Sequence, residues 1–232
     1  MFEPTISEGV LQVRREGTRW LSTGFDGGTW EAPAAYNISV PEGWDRRDLS
    51  SYVAERNRQA GFEPDGPALL TGVDLTHARG ARHGPVEVFA TAGISNPAAL
   101  PIQDADGAEH SGGERADVGT VNLIVGTGRA LDGGALANLL TVVAEAKATT
   151  LLAETGFPGT TTDAVVVGCD PSGDPTDFTG SATTVGAAAR ACTRDAVLAS
   201  LRSRYPDGDY PATVEDAEHG VRTTASSEVF RL

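Results

Sequence analysis

The chain has almost no lysine. Of its 18 basic residues 17 are arginine, and Lys147 is the single lysine in 232 residues. Cysteine is nearly as scarce. Cys169 and Cys192 are too few for a disulfide scaffold or a cysteine-rich metal site, and their apolar surroundings read as two small buried hydrophobes. No run approaches the ~20 apolar residues of a membrane span. Met1 to Val10 lacks the basic-then-apolar order of a signal peptide. A soluble, cytoplasmic protein is therefore expected. Positive charge is short overall: 32 acids leave a formal charge of −14. Such a surface repels phosphate backbones and anionic lipid heads, so neither nucleic acid nor membrane is an expected partner.

What is present is 40% apolar residues, enough for one sizeable core, and residues 1–232 read as a single domain. Excess carboxylate with almost no lysine is the composition of a salt-adapted protein. There the acids keep the surface hydrated and concentrated salt screens their repulsion. A halophilic source is expected.

Gly9 to Arg15 and Thr18 to Gly24 alternate apolar with polar residues, Gly27-Gly28 marks a turn, and Trp30 to Val40 reads as a further strand. This pattern predicts an N-terminal antiparallel meander. A short helix is predicted over Asp48 to Ala60, then strands over Ala68 to Leu75, Val86 to Ala92 and Val118 to Gly126. The acidic, glycine-containing stretch Pro101 to Asp117 reads as a surface loop or lid. Asp132 caps a helix running to about Glu154 and ended by Gly156 and Pro158. Asp163 to Gly168 is a short strand, Asp170 to Asp177 a loop, and Thr183 to Arg204 a second long helix with Val185, Ala189, Cys192, Ala196 and Ala199 along one stripe. The tail after Tyr205 reads as polar and peripheral. Early strands and late helices predict an α+β fold: a mixed sheet core, the meander, and two long helices packed on the sheet.

Leu136, Leu140, Val143, Lys147 and Leu151 fall on one face of the first long helix. The only lysine thus lies in an apolar stripe, where burial is costly unless a partner is found. It is fit for a base, a donor to a substrate, a structural ion pair, or a packed stem with a solvated amine. Glu145 points roughly the other way, and apolar Val142 and Leu152 suggest partial cover. It reads either as a proton-transfer group or as a solvated helix glutamate.

Gly159-Thr160-Thr161-Thr162-Asp163 puts three hydroxyls and a carboxylate before a buried strand, suited to binding amides or to nucleophilic attack, or simply to a turn. After another strand comes Thr91-Ala92-Gly93-Ile94-Ser95-Asn96-Pro97. Gly93 permits close backbone approach to a ligand, and Ser95 and Asn96 add polar groups. Asn122, inside an apolar run, needs partners. Polar and small residues recur where apolar strands begin and end, as expected of a sheet edge lining a pocket.

The sequence has no phosphate loop, dinucleotide fingerprint or nucleophile elbow, and His77, His83, His110 and His219 lack zinc-site spacing. No metal site is expected. His77 to His83 reads as a solvated loop.

Four segments in order resemble the adenosylcobinamide amidohydrolase (CbiZ) family. They are Ala90 to Pro97, Gly119-Thr120-Val121-Asn122-Leu123-Ile124-Val125, Glu145-Ala146-Lys147, and Gly159-Thr160-Thr161-Thr162-Asp163-Ala164. The resemblance spans roughly residues 65 to 205. It implies a hydrolase of corrinoid salvage that cleaves adenosylcobinamide to adenosylcobyric acid and 1-amino-2-propanol, and it fits an archaeal source. The cobalt would belong to the substrate, so no cofactor is implied. Amide hydrolysis needs a nucleophile, an acid for the leaving amine and oxyanion donors. Lys147, Glu145, Asp163 and Thr162 are the catalytic candidates. Gly93, Ser95, Asn96, Asn122, Thr160 and Thr161 are the candidates for holding substrate. Either Asp163 or Glu145 activates water, or a hydroxyl among Thr160 to Thr162 attacks with Lys147 as base. The competing reading is a corrinoid-binding or trafficking protein without catalysis.

Overall fold

A computed structural model describes residues 1–41, 44, 48–63, 65–101, 119–217 and 219–232. In chain order the strands and helices are β1 (Glu3–Ser7), β2 (Val10–Arg14), β3 (Arg19–Ser22), β4 (Gly28–Glu31), β5 (Ala34–Ser39), α1 (Leu49–Gln59), β6 (Ala68–Thr71), β7 (Arg79–His83), β8 (Val86–Ala92), β9 (Ala98–Ala99), β10 (Val121–Thr127), β11 (Ala130–Leu131), α2 (Gly133–Thr155), β12 (Ala164–Cys169), β13 (Pro175–Thr176), α3 (Thr184–Arg204) and β14 (Val221–Arg222).

Two mixed sheets form the centre. One has six strands in the order β4-β3-β12-β10-β8-β7, the other four in the order β1-β2-β5-β6. Each sheet has one parallel neighbour pair, β10 with β12 and β5 with β6. Parallel neighbours need a crossover, and α2 and α1 supply the two.

Strand alternation sorts the core into layers. From β10, Val121, Leu123 and Val125 face α2 and α3, where they meet Leu136, Leu139, Val143, Ala189 and Ala196. Ile124 faces the other way and joins Phe2, Leu11, Val13, Trp20 and Leu69 between the sheets. Beyond the four-stranded sheet, Val10, Tyr36 and Ile38 pack against Tyr52 of α1. The order is two helices, six strands, four strands, one helix. The α+β class, the mixed sheet and the two long helices on it are as the sequence predicts. Asp132 caps α2 by accepting from the Ala135 N–H at 2.7 Å, and Gly156 ends it in the left-handed conformation at φ 81°.

Several elements differ from the sequence expectation. Trp30 to Val40 is two strands in different sheets, because Pro33 has no N–H to extend a ladder. The antiparallel N-terminal strands are therefore divided between the sheets. β1 and β7 went unpredicted. Both are edge strands with mostly exposed residues, so they carry no apolar alternation. The Ala68 to Leu75 strand stops at Thr71. On α3, Ala199 is exposed and Ser200 takes its place on the buried stripe, donating to the His77 carbonyl at 2.8 Å. The tail is less peripheral than expected, since Tyr205, Tyr210 and Val214 pack on the core and β14 pairs with β9. The lid reading of Pro101 to Asp117 lies, beyond Pro101, outside the described residues, as does Val118. α2 has the length and apolarity to cross a membrane, at a mean hydropathy of 1.3, contrary to the sequence reading. Its alanines and threonines hide that length from a search for unbroken large apolar residues, and Leu136, Leu139, Val143 and Leu151 bury its face in the core.

Candidate active site

The N-terminal ends of parallel β10 and β12 lie beside the C-terminal end of antiparallel β8. The segments just outside these strands therefore meet at one end of the sheet. Residues 93–98 follow β8, 119–120 precede β10 and 159–163 precede β12. Pro97 bridges to Thr160, and the Ala98 N–H donates to the Gly159 carbonyl at 2.9 Å.

Asp163 is the hub. Its Oδ1 accepts from the Val121 N–H at 2.9 Å and from the Thr160 hydroxyl. Its Oδ2 accepts from the Thr160 N–H at 3.1 Å and from Lys147 Nζ. Four donors fill the four acceptor positions of a carboxylate. Lys147 reaches this hub from α2 and is 8% exposed, so its amine is buried and paired rather than snorkelling. A Cβ at Gly159 would stand 2.7 Å from Asp163 Oδ2 and 3.4 Å from Lys147 Nζ, so the pair needs glycine there.

A second set of contacts lies alongside. Asn96, 1% exposed, donates to the Thr161 hydroxyl at 2.6 Å, and its carbonyl accepts from the Thr161 N–H at 3.2 Å. The side-chain Oδ1 of Asn96 has no partner. The Thr162 hydroxyl lies 2.9 Å from that of Thr120 and 3.4 Å from the Gly119 carbonyl. Ser95 is half-buried beside Gly119, where a Cβ would fall 2.3 Å from its N–H nitrogen. Thr160 is buried, whereas Thr161 and Thr162 are exposed.

Lys147, Asp163, Thr160, Thr161, Thr162, Asn96 and Ser95 are thus brought together. Glu145, Asn122 and Gly93 are not. Glu145 is exposed and pairs with Arg190 of α3 at 3.3 Å, so the partial cover expected for it is absent. Helical spacing alone placed it beside apolar neighbours, but that side of α2 is wet. Asn122 points between the sheets, donating to Asn37 Oδ1 at 3.0 Å and the Leu70 carbonyl at 2.8 Å. Asn37 in turn donates to Thr91 at 2.9 Å, closing a buried polar chain. The space above Gly93 is taken by this chain itself: a Cβ there would stand 2.9 Å from Val73 and 3.3 Å from Arg204. Thr120 and the Val121 N–H are members the sequence reading did not single out. The signal was the Gly119 to Asn122 segment, of which only Asn122 drew attention. His77, expected in a solvated loop, lies within 3.0 Å of Ser203, and β7 replaces most of that loop. Among the described residues no three His, Cys, Asp or Glu side chains gather as metal ligands.

The fold and this site define a four-layer α–β–β–α protein whose one sheet end presents hydroxyls, an amide and a buried amine fixed by a carboxylate, groups suited to an amide substrate. The adenosylcobinamide amidohydrolase family model matches residues 3–208. An adenosylcobinamide amidohydrolase of Halobacterium salinarum is 56% identical over the full length of both chains. One of Methanosarcina mazei is 30% identical over 66% of this chain and 70% of its own. The chain belongs to the adenosylcobinamide amidohydrolase family. The matched span holds every member of the Lys147–Asp163 cluster.

Proposed function

We propose that this chain hydrolyses the amide joining the corrin side chain of adenosylcobinamide to aminopropanol. Water adds across the C–N bond to give adenosylcobyric acid and 1-amino-2-propanol. Cobalt enters as part of the corrinoid substrate. The observation that carries the reading is the Lys147–Asp163 pair set among Thr160, Thr161, Thr162 and Asn96 in a chain of this family.

Lys147 has three donors and commits one to Asp163. An arriving amide carbonyl takes that amine and is polarised by it. The shift frees Oδ2 of Asp163 to accept a proton from attacking water, and the proton passes to the leaving amine as the C–N bond breaks. Thr161, Thr162 and Ser95 face the substrate amides, with Asn96 behind them donating to the Thr161 hydroxyl. Glu145, out on the α2–α3 surface, takes no part. We assign the chemistry to one domain over residues 1–232, working in the cytoplasm without nucleic acid or membrane.

The test is incubation with adenosylcobinamide in molar KCl, with and without chelator, read by mass spectrometry. Both products are expected. Intact substrate that co-elutes with the protein would replace this reading by a corrinoid-binding one. Lys147→Met is expected to lower kcat ~100-fold or more, since losing one donor to the developing oxyanion costs about 10²–10³ in kcat. Thr161→Val and Thr162→Val, which lose only contacts to the substrate amides, are expected to raise KM and keep kcat. Loss of turnover in a folded Thr162→Val protein would move the attack from water to a hydroxyl.

A further inference from the structure

Behind the Lys147–Asp163 cluster, the space between the two sheets carries a polar chain that the hydrolytic step does not use. Its members are Asn122 of β10, Asn37 of β5 and Thr91 of β8, none more than 2% exposed. By strand alternation Asn37 shares the inter-sheet face of Ala35, and Asn122 that of Ile124. The Asn122 side-chain amide donates to Asn37 Oδ1 at 3.0 Å and to the Leu70 carbonyl of β6 at 2.8 Å. Asn37 donates onward to the Thr91 hydroxyl at 2.9 Å. Thr91 lies directly opposite Asn122 in the β8–β10 register. The chain therefore leaves the six-stranded sheet, crosses to the parallel pair of the other sheet, and returns.

Polar groups in this layer are costly, so their presence calls for a reason. Each sheds its water on folding, and among the described residues Asn122 Oδ1 finds no partner. Apolar side chains of similar size would pack without that cost. What they would not supply is direction. Hydrophobic attraction is non-directional, whereas hydrogen bonds between particular atoms admit one alignment of the two sheets.

That alignment is fixed beside the reaction centre. Val121, the neighbour of Asn122 and the first residue of β10, donates its N–H to Asp163 Oδ1 at 2.9 Å. Ala164, the neighbour of Asp163, is the β12 partner of Asn122 in the parallel register. Two residues beyond Thr91, the Gly93 N–H donates to the Thr120 carbonyl at 3.2 Å, and the Thr120 hydroxyl meets that of Thr162. Chain segments open locally where few contacts hold them, and this strand end is fastened crosswise to a second sheet.

We infer that Asn122, Asn37 and Thr91 are positioning residues. They hold the start of β10 against the four-stranded sheet, so that the Val121 N–H stays on Asp163 and the carboxylate stays aimed at Lys147. Buried between the sheets, none of the three reaches the substrate. The effect on turnover rests on the hydrolase reading; the effect on the Val121–Asp163 contact does not.

The experiment combines steady-state kinetics with amide hydrogen exchange read by NMR, on wild type, Asn122→Val, Thr91→Val and Thr91→Ser. Valine suits a strand, and Thr91→Val keeps the side-chain shape while removing the acceptor of Asn37. Asn122→Val should lower kcat about tenfold or more at a KM within about twofold, since a ~1 Å misplacement at a distance can cost ~10²-fold. Exchange at the Val121 amide should quicken about tenfold relative to Leu123, deeper in the same strand. Thr91→Val should show both effects more weakly, and Thr91→Ser should restore both. Should Asn122→Val fail to fold, the two Thr91 variants decide. Wild-type kcat in a folded Asn122→Val protein, or equal damage from Thr91→Val and Thr91→Ser, would overturn the inference. So would a raised KM at unchanged kcat, which would make Asn122 a substrate contact. Turnover by wild type with Val121 exchange unmoved in every variant would sink this inference alone. Quickened Val121 exchange in Asn122→Val, with no hydrolysis by wild type, would sink the hydrolase reading alone.

Discussion

Single side chains decide the site by how completely their hydrogen bonds are filled. Asp163 has no free acceptor, while Asn96 keeps one buried oxygen without a partner. The first ties the start of β10 and the segment before β12 to α2, and the second leaves a buried acceptor unsatisfied beside Thr161. A carboxylate elsewhere contributes to acid stability. Asp170 is held below the ordinary carboxylate range, chiefly by the Ser172 hydroxyl, then by the Ser172 N–H and by Arg15. A depressed folded value means its stabilisation is complete above the unfolded value near pH 4 and is lost as pH falls through the folded value. Melting temperature measured from pH 5 to pH 2 should fall less steeply for Asp170→Asn than for wild type. At this scale the sequence was partly legible. The spacing of Leu136, Leu140, Val143 and Leu151 placed Lys147 in a buried stripe, and it is buried. Its partner was not legible, because Asp163 lies 16 residues on, across a helix end and a turn. Glu145 misled because neighbours in sequence say nothing about which face a second helix leaves open.

At the scale of elements, glycines on two strands of the six-stranded sheet leave room for large aromatic rings of the core. On β12 a Cβ at Gly168 would stand 2.3 Å from the Trp20 indole, and on β10 one at Gly126 would stand 2.3 Å from the Phe2 ring. These two aromatic rings stack edge to face between the sheets, with centroids 5.6 Å apart. Gly168→Ala should therefore destabilise by about 1–3 kcal/mol through overpacking, visible as a lowered denaturation midpoint at unchanged slope. Helices were the most legible elements. Asp132 and Gly156 mark both ends of α2, and Thr183 caps α3 by accepting from the Gly186 N–H at 3.0 Å. Buried strands were legible from their apolar runs. Edge strands were not, since a strand that buries little needs no pattern, and Pro33 redirected the chain without altering the apolar count around it.

At the scale of the molecule, charge and topology dominate. A net charge of −14 spread over one small protein repels itself, and at 1 M salt screening acts within about 3 Å. Relief of several kcal/mol raises the melting temperature on the order of 10 °C in a chain of this size. Scans from 0.1 to 2 M KCl should show that rise, and a flat profile would count against salt adaptation. The acid excess was fully legible in the sequence. The way the chain alternates between layers was not, because it depends on pairings across long stretches of sequence. β1 and β2 belong to the four-stranded sheet, β3 and β4 to the six-stranded one, β5 and β6 to the four-stranded one again, and β7 to the six-stranded one. Neither sheet is assembled from consecutive strands. A ribosome releasing the first 70 residues delivers most of one sheet together with only the edge of the other, β4 and β3, whose neighbour β12 is still almost a hundred residues away. The nascent chain must keep Trp20 and Leu21 out of wrong partnerships until that strand emerges. Slow, high-contact-order folding, exposed to aggregation during synthesis, is the consequence of weaving two sheets from one thread.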